Sequence, residues 1–238
     1  SMAGQVYSYS SGKSTNGIVS AFSRLNYNFD ERYLVTATIR GDGSSKFSKG
    51  KQWGYFPSVS AAWRVSEESF MSNMDVLNNL KLRIGYGTTG NCNISNNMYA
   101  TDYQSGFYAV DNRQVVSLKP GNTVGNPNLK WETTRSTNIG LDVSFFNSRV
   151  NLTAEFYNNK SNDLLIKNKI PTSTGYSYQY QNIGSIRNRG YEFVLNTTNI
   201  KNDNFKWTTD FNISFNKSKS ITLKFSTISY PVSNLLVA

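Results

Sequence analysis

The side chains that most often carry out chemistry are scarce in this 238-residue chain, which has no His and a single Cys. Without His there is no Ser-His-Asp triad, no Cys-His pair and no imidazole metal ligand. Cys92 alone forms neither an internal disulfide nor a Cys-x-x-Cys site, and in its Asn-rich stretch it reads as an ordinary thiol. Carboxylates remain. Asp142 and Glu155 fall on one side of two neighbouring alternating runs, as the paired acids of a glycosidase would. Nearby Lys and Arg give them a simpler role as counter-charges. Gly41-Asp42-Gly43-Ser44-Ser45-Lys46 has the composition of an anion cradle, but lacks the GxxxxGK[ST] spacing and a following helix. It reads as the start of a long loop whose glycines can take positive φ. No catalytic, cofactor or metal residue is assigned, and an enzyme is not expected.

Aromatic rings are the better candidates for contact with a ligand. Tyr103, Phe107 and Tyr108 lie in one long polar stretch, and Tyr176, Tyr178 and Tyr180 in another, the last three on one face of any extended run. Rings beside Asn and Gln amides suit a carbohydrate or a peptide. Loop-on-loop packing is the plainer alternative. Asn126-Pro127-Asn128-Leu129-Lys130-Trp131-Glu132 is the sharpest motif: Pro127 fixes φ and holds Asn126 extended, a rigid approach to the next strand. Trp131 reads as an interface anchor or a packing residue, with Trp53, Tyr55 and Trp207 as further anchors near strand ends.

The elements that position these residues are strands. Asn, Ser and Thr contribute 80 residues, poor in helix interiors, while Thr, Tyr and Phe favour sheets. Mean hydropathy is −0.48, yet aromatics reach 14%, too many for a disordered chain. Period-2 alternation sets Leu80, Leu82, Ile84 and Tyr86 against Lys81, Arg83, Gly85 and Gly87. It recurs at 139–145, 150–156 and 207–215, and more weakly at 19–29, 33–40, 57–66 and 189–197. Each run has one oily and one wet side. Connections alternate between short (Asp30-Glu31-Arg32, Asn147-Ser148, 198–205) and long (41–52, 88–135, 159–183), with a medium one at 68–79. Successive hairpin turns lie at opposite ends of a sheet, so the long loops gather at one end. A transmembrane barrel does this, and its tilted strands of about 9–11 residues match these runs. A soluble β-sheet module binding glycan or protein is the alternative.

The net charge of +10 does not indicate nucleic acid. Basic residues are dispersed, with loose groups at Lys46, Lys49 and Lys51 and at Lys217, Lys219 and Lys224, and no helix or nucleic-acid module presents them. Such charge suits lipid phosphates, anionic glycans or plain solvated surface.

Several long strings are similar to the C-terminal barrel region of the SusC/RagA family of TonB-dependent outer-membrane transporters. They are DGSSKF (42–47), WGYFPSVSAAWR (53–64), LNNLKLRIGYGTTGN (77–91), NPNLKWE (126–132) and NIGSIRNRGYEFVLN (182–196). The resemblance implies a plugged 22-stranded barrel in the outer membrane of a Gram-negative cell. It implies a SusD-like lipoprotein lid, TonB acting through a plug domain, and oligosaccharide or peptide cargo. On this basis the fold expected is all-β, an antiparallel up-and-down meander of about eight to ten strands forming a partial barrel or curved open sheet. Residues 1–16 read as a cloning remnant or loop, 17–226 as the partial receptor barrel and 227–238 as an uncertain tail. A fragment cut at both ends is expected, since Asn234 to Ala238 lacks a terminal aromatic.

Overall fold

The computed structural model describes residues 13–72, 74, 76–110 and 113–222, so the proposed tail at 227–238 and most of the 1–16 segment lie outside the described residues. Thirteen strands follow one another in the described residues: β1 (Ile18–Phe29), β2 (Tyr33–Ser44), β3 (Trp53–Arg64), β4 (Leu77–Asn91), β5 (Tyr103–Val110), β6 (Arg113–Pro120) and β7 (Thr123–Val124), then β8 (Glu132–Phe145), β9 (Val150–Asn162), β10 (Leu165–Lys169), β11 (Tyr178–Asn182), β12 (Ser185–Lys201) and β13 (Lys206–Thr222). Eight of them form one antiparallel sheet in the order β1-β2-β3-β4-β8-β9-β12-β13. Each of these strands has 12 to 17 residues, more than the ~9–11 that cross a bilayer, so they project beyond the apolar band.

Register sorts the sheet into two faces. One row across all eight strands reads Phe29, Tyr33, Trp63, Leu82, Leu141, Ala154, Phe193 and Ile213. The next reads Tyr27, Val35, Ala61, Ile84, Ile139, Phe156, Tyr191 and Phe215. Opposite them runs Asn26, Thr36, Ser60, Gly85, Asn138, Tyr157, Gly190 and Asn216. A β-sandwich would cover the apolar rows with a second sheet. Among the described residues nothing does: Ile84 is 55% and Ile139 48% exposed. No helix of the structure is long and apolar enough to cross a membrane, which leaves crossing by strands untouched.

The connections alternate as expected. Residues 30–32, 65–76, 146–149 and 202–205 lie at one end of the sheet, and 45–52, 92–131 and 163–184 at the other. Asp30 and Glu31 both take φ of 52°, the left-handed pair whose twist suits a tight hairpin. The second hairpin is longer than the two residues read from sequence: Phe146, Asn147 and Ser148 all have positive φ, and Arg149 N–H closes the turn on the Phe146 carbonyl at 3.2 Å.

Two readings need correction. Gly41 and Gly43 do not open a loop; they continue β2. Their missing side chains make room for rings across the strand pair. A Cβ on Gly43 would lie 3.0 Å from the Trp53 ring, and one on Gly41 3.3 Å from Tyr55. The long connections are also not structureless. They hold five strands, a β5-β6 hairpin paired only with itself and a β10-β11-β7 sheet in which β7 runs parallel to β11. At the neck of the hairpin, Gly121 N–H donates to the Asp102 carbonyl at 2.9 Å.

Candidate functional site

The polar face carries a charge cluster at mid-sheet. Gly140 stands between Arg83 and Glu155 in the register, and the guanidinium lies where a Cβ on Gly140 would be, 2.7 Å from Arg83 Nη2. From there Arg83 Nε donates to Asp142 Oδ2 at 2.8 Å, Nη2 donates to Oδ1 at 3.1 Å, and Glu155 lies 3.8 Å away. Thr153 Oγ1–H also donates to Asp142 at 3.1 Å. The carboxylates that resemble an acid pair in sequence are thus held by an arginine, and Asp142 accepts three hydrogen bonds. Next to them, Asn138, Tyr157, Asn188, Glu192 and Asn216 line an open concavity of about 410 Å³. Ligand pockets of that size are usually apolar; this one offers amides and carboxylates, groups that stay hydrated.

At the long-loop end sits the buried cluster of the described residues: Phe47, Phe56, Ile94, Leu129 and Trp131. The NPNLKWE stretch builds it, and its residues tie β4, β10, β11 and the 45–52 connection together. Asn126 Oδ1 accepts from Asn128 N–H at 3.0 Å, an Asx turn, while Asn126 Nδ2 donates to the Tyr180 carbonyl at 2.8 Å. Ser48 Oγ–H donates to the Pro127 carbonyl at 2.6 Å. Lys130 N–H donates to Asn182 Oδ1 at 2.9 Å, Asn182 Nδ2 returns to the Lys130 carbonyl at 2.8 Å, and Lys130 Nζ meets Asp163 at 2.8 Å. Glu132 accepts from Leu165 N–H at 3.1 Å and from Asn91 Nδ2 at 3.3 Å. Trp131 Nε1–H donates to the Gln52 carbonyl at 2.8 Å, with its ring 5.5 Å from both Phe47 and Phe56. Trp131 is 7% exposed. Burial leaves it no ring surface for a bilayer, so it packs and does not anchor. Phe56, on β3, packs with it.

The other ring candidates separate. Trp53, Tyr55 and Trp207 are exposed on the register side of the apolar rows. Tyr103 and Phe107 share one face of the β5-β6 hairpin with Val116 and Leu118, all four exposed, Leu118 at 73%. Tyr108 is on β5, and its side chain lies outside the described ones. Tyr176 is half-buried just ahead of β11. Tyr178 lies beneath Lys167 Nζ, 4.5 Å from the ring centre, and Tyr180 packs on the Trp131 cluster. The structure does not gather the five described rings into one surface.

Sequence reasoning missed a girdle at the short-turn end. The Tyr33 and Trp63 rings stack at 6.3 Å, and both reach one carboxylate oxygen: Tyr33 O–H donates to Glu68 Oε1 at 2.6 Å and Trp63 Nε1–H at 2.9 Å. The Trp63-to-Glu68 spacing across a 3₁₀ turn was the available signal. These bonds, Tyr33 first and Trp63 next, hold the Glu68 carboxyl below the usual glutamate range. A carboxyl depressed on folding stabilises above its ordinary pKa and loses that contribution as pH falls through the folded value. Wild type is therefore expected to melt higher than Glu68→Gln at neutral pH, with the gap closing below about pH 4. Melting curves of both proteins against pH check this; a gap that persists unchanged at pH 3 would contradict it.

An eight-strand wall, apolar on one face and ion-paired on the other, with its long loops folded into a lobe at one end, defines a segment of a transmembrane β-barrel. The model of the "TonB dependent receptor-like, beta-barrel" family matches residues 1–234, and the chain belongs to that family. It is 44% identical over 210 residues to TonB-dependent receptor P26 of Formosa agariphila, covering 87% of this chain and 21% of that protein. To TonB-dependent receptor SusC of Bacteroides thetaiotaomicron it is 40% identical over 210 residues, covering 86% and 21%. Among solved structures, the RagAB peptide importer in its closed-closed state superposes with a TM-score of 0.80 at 31% identity, covering 91% of this chain and 24% of that one. The chain thus spans about a fifth of the length of the curated relatives it matches. It is a segment of a SusC-like receptor.

Proposed function

We propose that the chain forms part of the wall and outer loops of an integral outer-membrane importer in a Gram-negative cell. In this reading TonB drives uptake of an oligosaccharide or peptide through the complete receptor, and a SusD-like lipoprotein closes it from outside. The observation that carries it is the pair of uncovered apolar rows crossing all eight strands, backed by a polar face with Arg83, Asp142 and Glu155. In lipid those rows need no cover. Membrane fractionation tests it: the protein is expected in the outer-membrane pellet, resistant to carbonate extraction. A monodisperse monomer free of detergent would instead favour a soluble binding module.

The exposed face of the β5-β6 hairpin is the part of the lobe best suited to the lid. An isolated two-stranded hairpin is marginal in water, and this one shows Tyr103, Phe107, Val116 and Leu118 on one side. Cargo contact, in this reading, falls to Tyr176, whose ring neither Lys167 nor the Trp131 cluster takes. The double substitution Phe107→Glu with Leu118→Glu is expected to weaken co-purification of the lid about tenfold or more, as loss of a central apolar anchor does. Membrane insertion should be unchanged. Equal recovery of the lid by both proteins would remove the hairpin from that interface.

A further inference from the structure

Just beyond the apolar rows, on the same face and toward the long loops, the register sets four cations side by side. Arg135 on β8 lies opposite Lys160 on β9, Lys160 opposite Arg187 on β12, and Arg187 opposite Lys219 on β13. One row nearer the apolar band, Arg189 and Lys217 are paired in the same way. All but the half-buried Lys160 are exposed. Among the described residues none of the six is within salt-bridge distance of a carboxylate: the ion pairs there use Arg32, Arg40, Arg64, Arg83 and Lys130. Like charges directly opposite one another on neighbouring strands destabilise a sheet. At mid-sheet, by contrast, Asp142 and Glu155 are both compensated by Arg83. A ladder of four uncompensated cations, one per strand, calls for an anion from outside the chain.

We infer that this ladder binds the phosphates of lipid A-type glycolipid headgroups in the outer leaflet, an inference that rests on the membrane reading above. Level and spacing fit that occupant. The Arg187 row is four residues from Tyr191, or about 13 Å along a strand, which puts it at the headgroup boundary of a band beginning with Ile139, Phe156 and Tyr191. Neighbouring strands are about 4.8 Å apart, so four strands present a cationic strip about 14 Å wide, enough for more than one phosphate. The ladder is on the side away from Asp142 and Glu155, so it does not line the solute path. Arginine forks and lysine ammonium groups both bind phosphate well.

The test compares the receptor, solubilised from outer membranes, with a variant carrying Arg135→Gln, Lys160→Gln, Arg187→Gln and Lys219→Gln. Native mass spectrometry with added bis-phosphorylated lipid A, dephosphorylated lipid A or inorganic phosphate reads binding directly. Wild type should retain phosphorylated lipid A about 600-fold better than the variant, since each of the four surface cations changes anionic-lipid binding about fivefold. Dephosphorylated lipid A should bind both weakly, and inorganic phosphate at the same concentration should not compete. Arg135→Lys with Arg187→Lys should keep binding, which separates charge from a folding defect. Equal retention of phosphorylated lipid A by wild type and the Gln variant, both correctly inserted, overturns the ladder alone. Loss of a protein neighbour with lipid binding intact overturns it in favour of a protein interface. Absence of wild type from the outer membrane defeats the underlying membrane reading instead.

Discussion

Trp131→Ala is expected to cost about 3–5 kcal/mol, the range for truncating a large buried aromatic. The ring fills the space between Phe47 and Phe56, and its N–H satisfies the Gln52 carbonyl. Alanine leaves a cavity and removes one of the two hydrogen bonds on the Gln52 carbonyl, which keeps its bond from Ser44 N–H at 3.0 Å, so the cavity dominates the loss. The damage should be local. Trp131 stands at the start of β8, so hydrogen exchange is expected to speed up in 45–52, 92–98 and 178–182, while the amides of 139–145 stay protected. Trp131→Phe should recover most of the packing but not the hydrogen bond. Unchanged protection throughout the lobe in Trp131→Ala would show that the cluster is not what holds the loops.

Leu141→Arg should be as severe for a different reason. Leu141 is in the middle of the apolar row, between Leu82 and Ala154. An arginine on the lipid side of a barrel near mid-membrane costs about 2–4 kcal/mol. The control is Asn138→Arg, one strand face away, where the side chain enters the wet side beside Glu155 and Glu192 and should be tolerated. Urea titration of both variants in lipid vesicles measures the difference. If Asn138→Arg were the costly substitution, the two faces would be assigned the wrong way round.

The wall was legible in the sequence and the lobe was not, for a physical reason. Along Leu80 to Tyr86 and Ile139 to Phe145 one face must be apolar and the other polar at every second residue, so the pattern states the structure. In the lobe, folding depends on amides and carbonyls meeting across long separations. Asn126 reaching the Tyr180 carbonyl and Asn182 reaching Lys130 leave no periodic trace. The same loss of pattern hid β5, β6, β7, β10 and β11 inside polar text. It also disguised Trp131: tryptophan at a strand start near a membrane reads as an anchor, and only the third dimension puts Phe47 and Phe56 around it. The rings at Tyr178 and Tyr180 were correctly placed on one side of a strand, but neighbours decide what each ring touches, and Lys167 and the core took them. The cation ladder was invisible for a related reason, since its members are far apart in the chain and meet only through register.

The neck at Asp102 and Gly121 sets the β5-β6 hairpin apart from its surroundings as a self-contained unit among the described residues. Both its ends enter and leave at one point, and none of its backbone is shared with the framework that NPNLKWE fastens. Such a unit can be lengthened, recoloured or exchanged as a cassette while the cylinder below keeps its stagger. Grafting residues 103–120 from one receptor onto another is therefore a direct route to changing what the hairpin contacts.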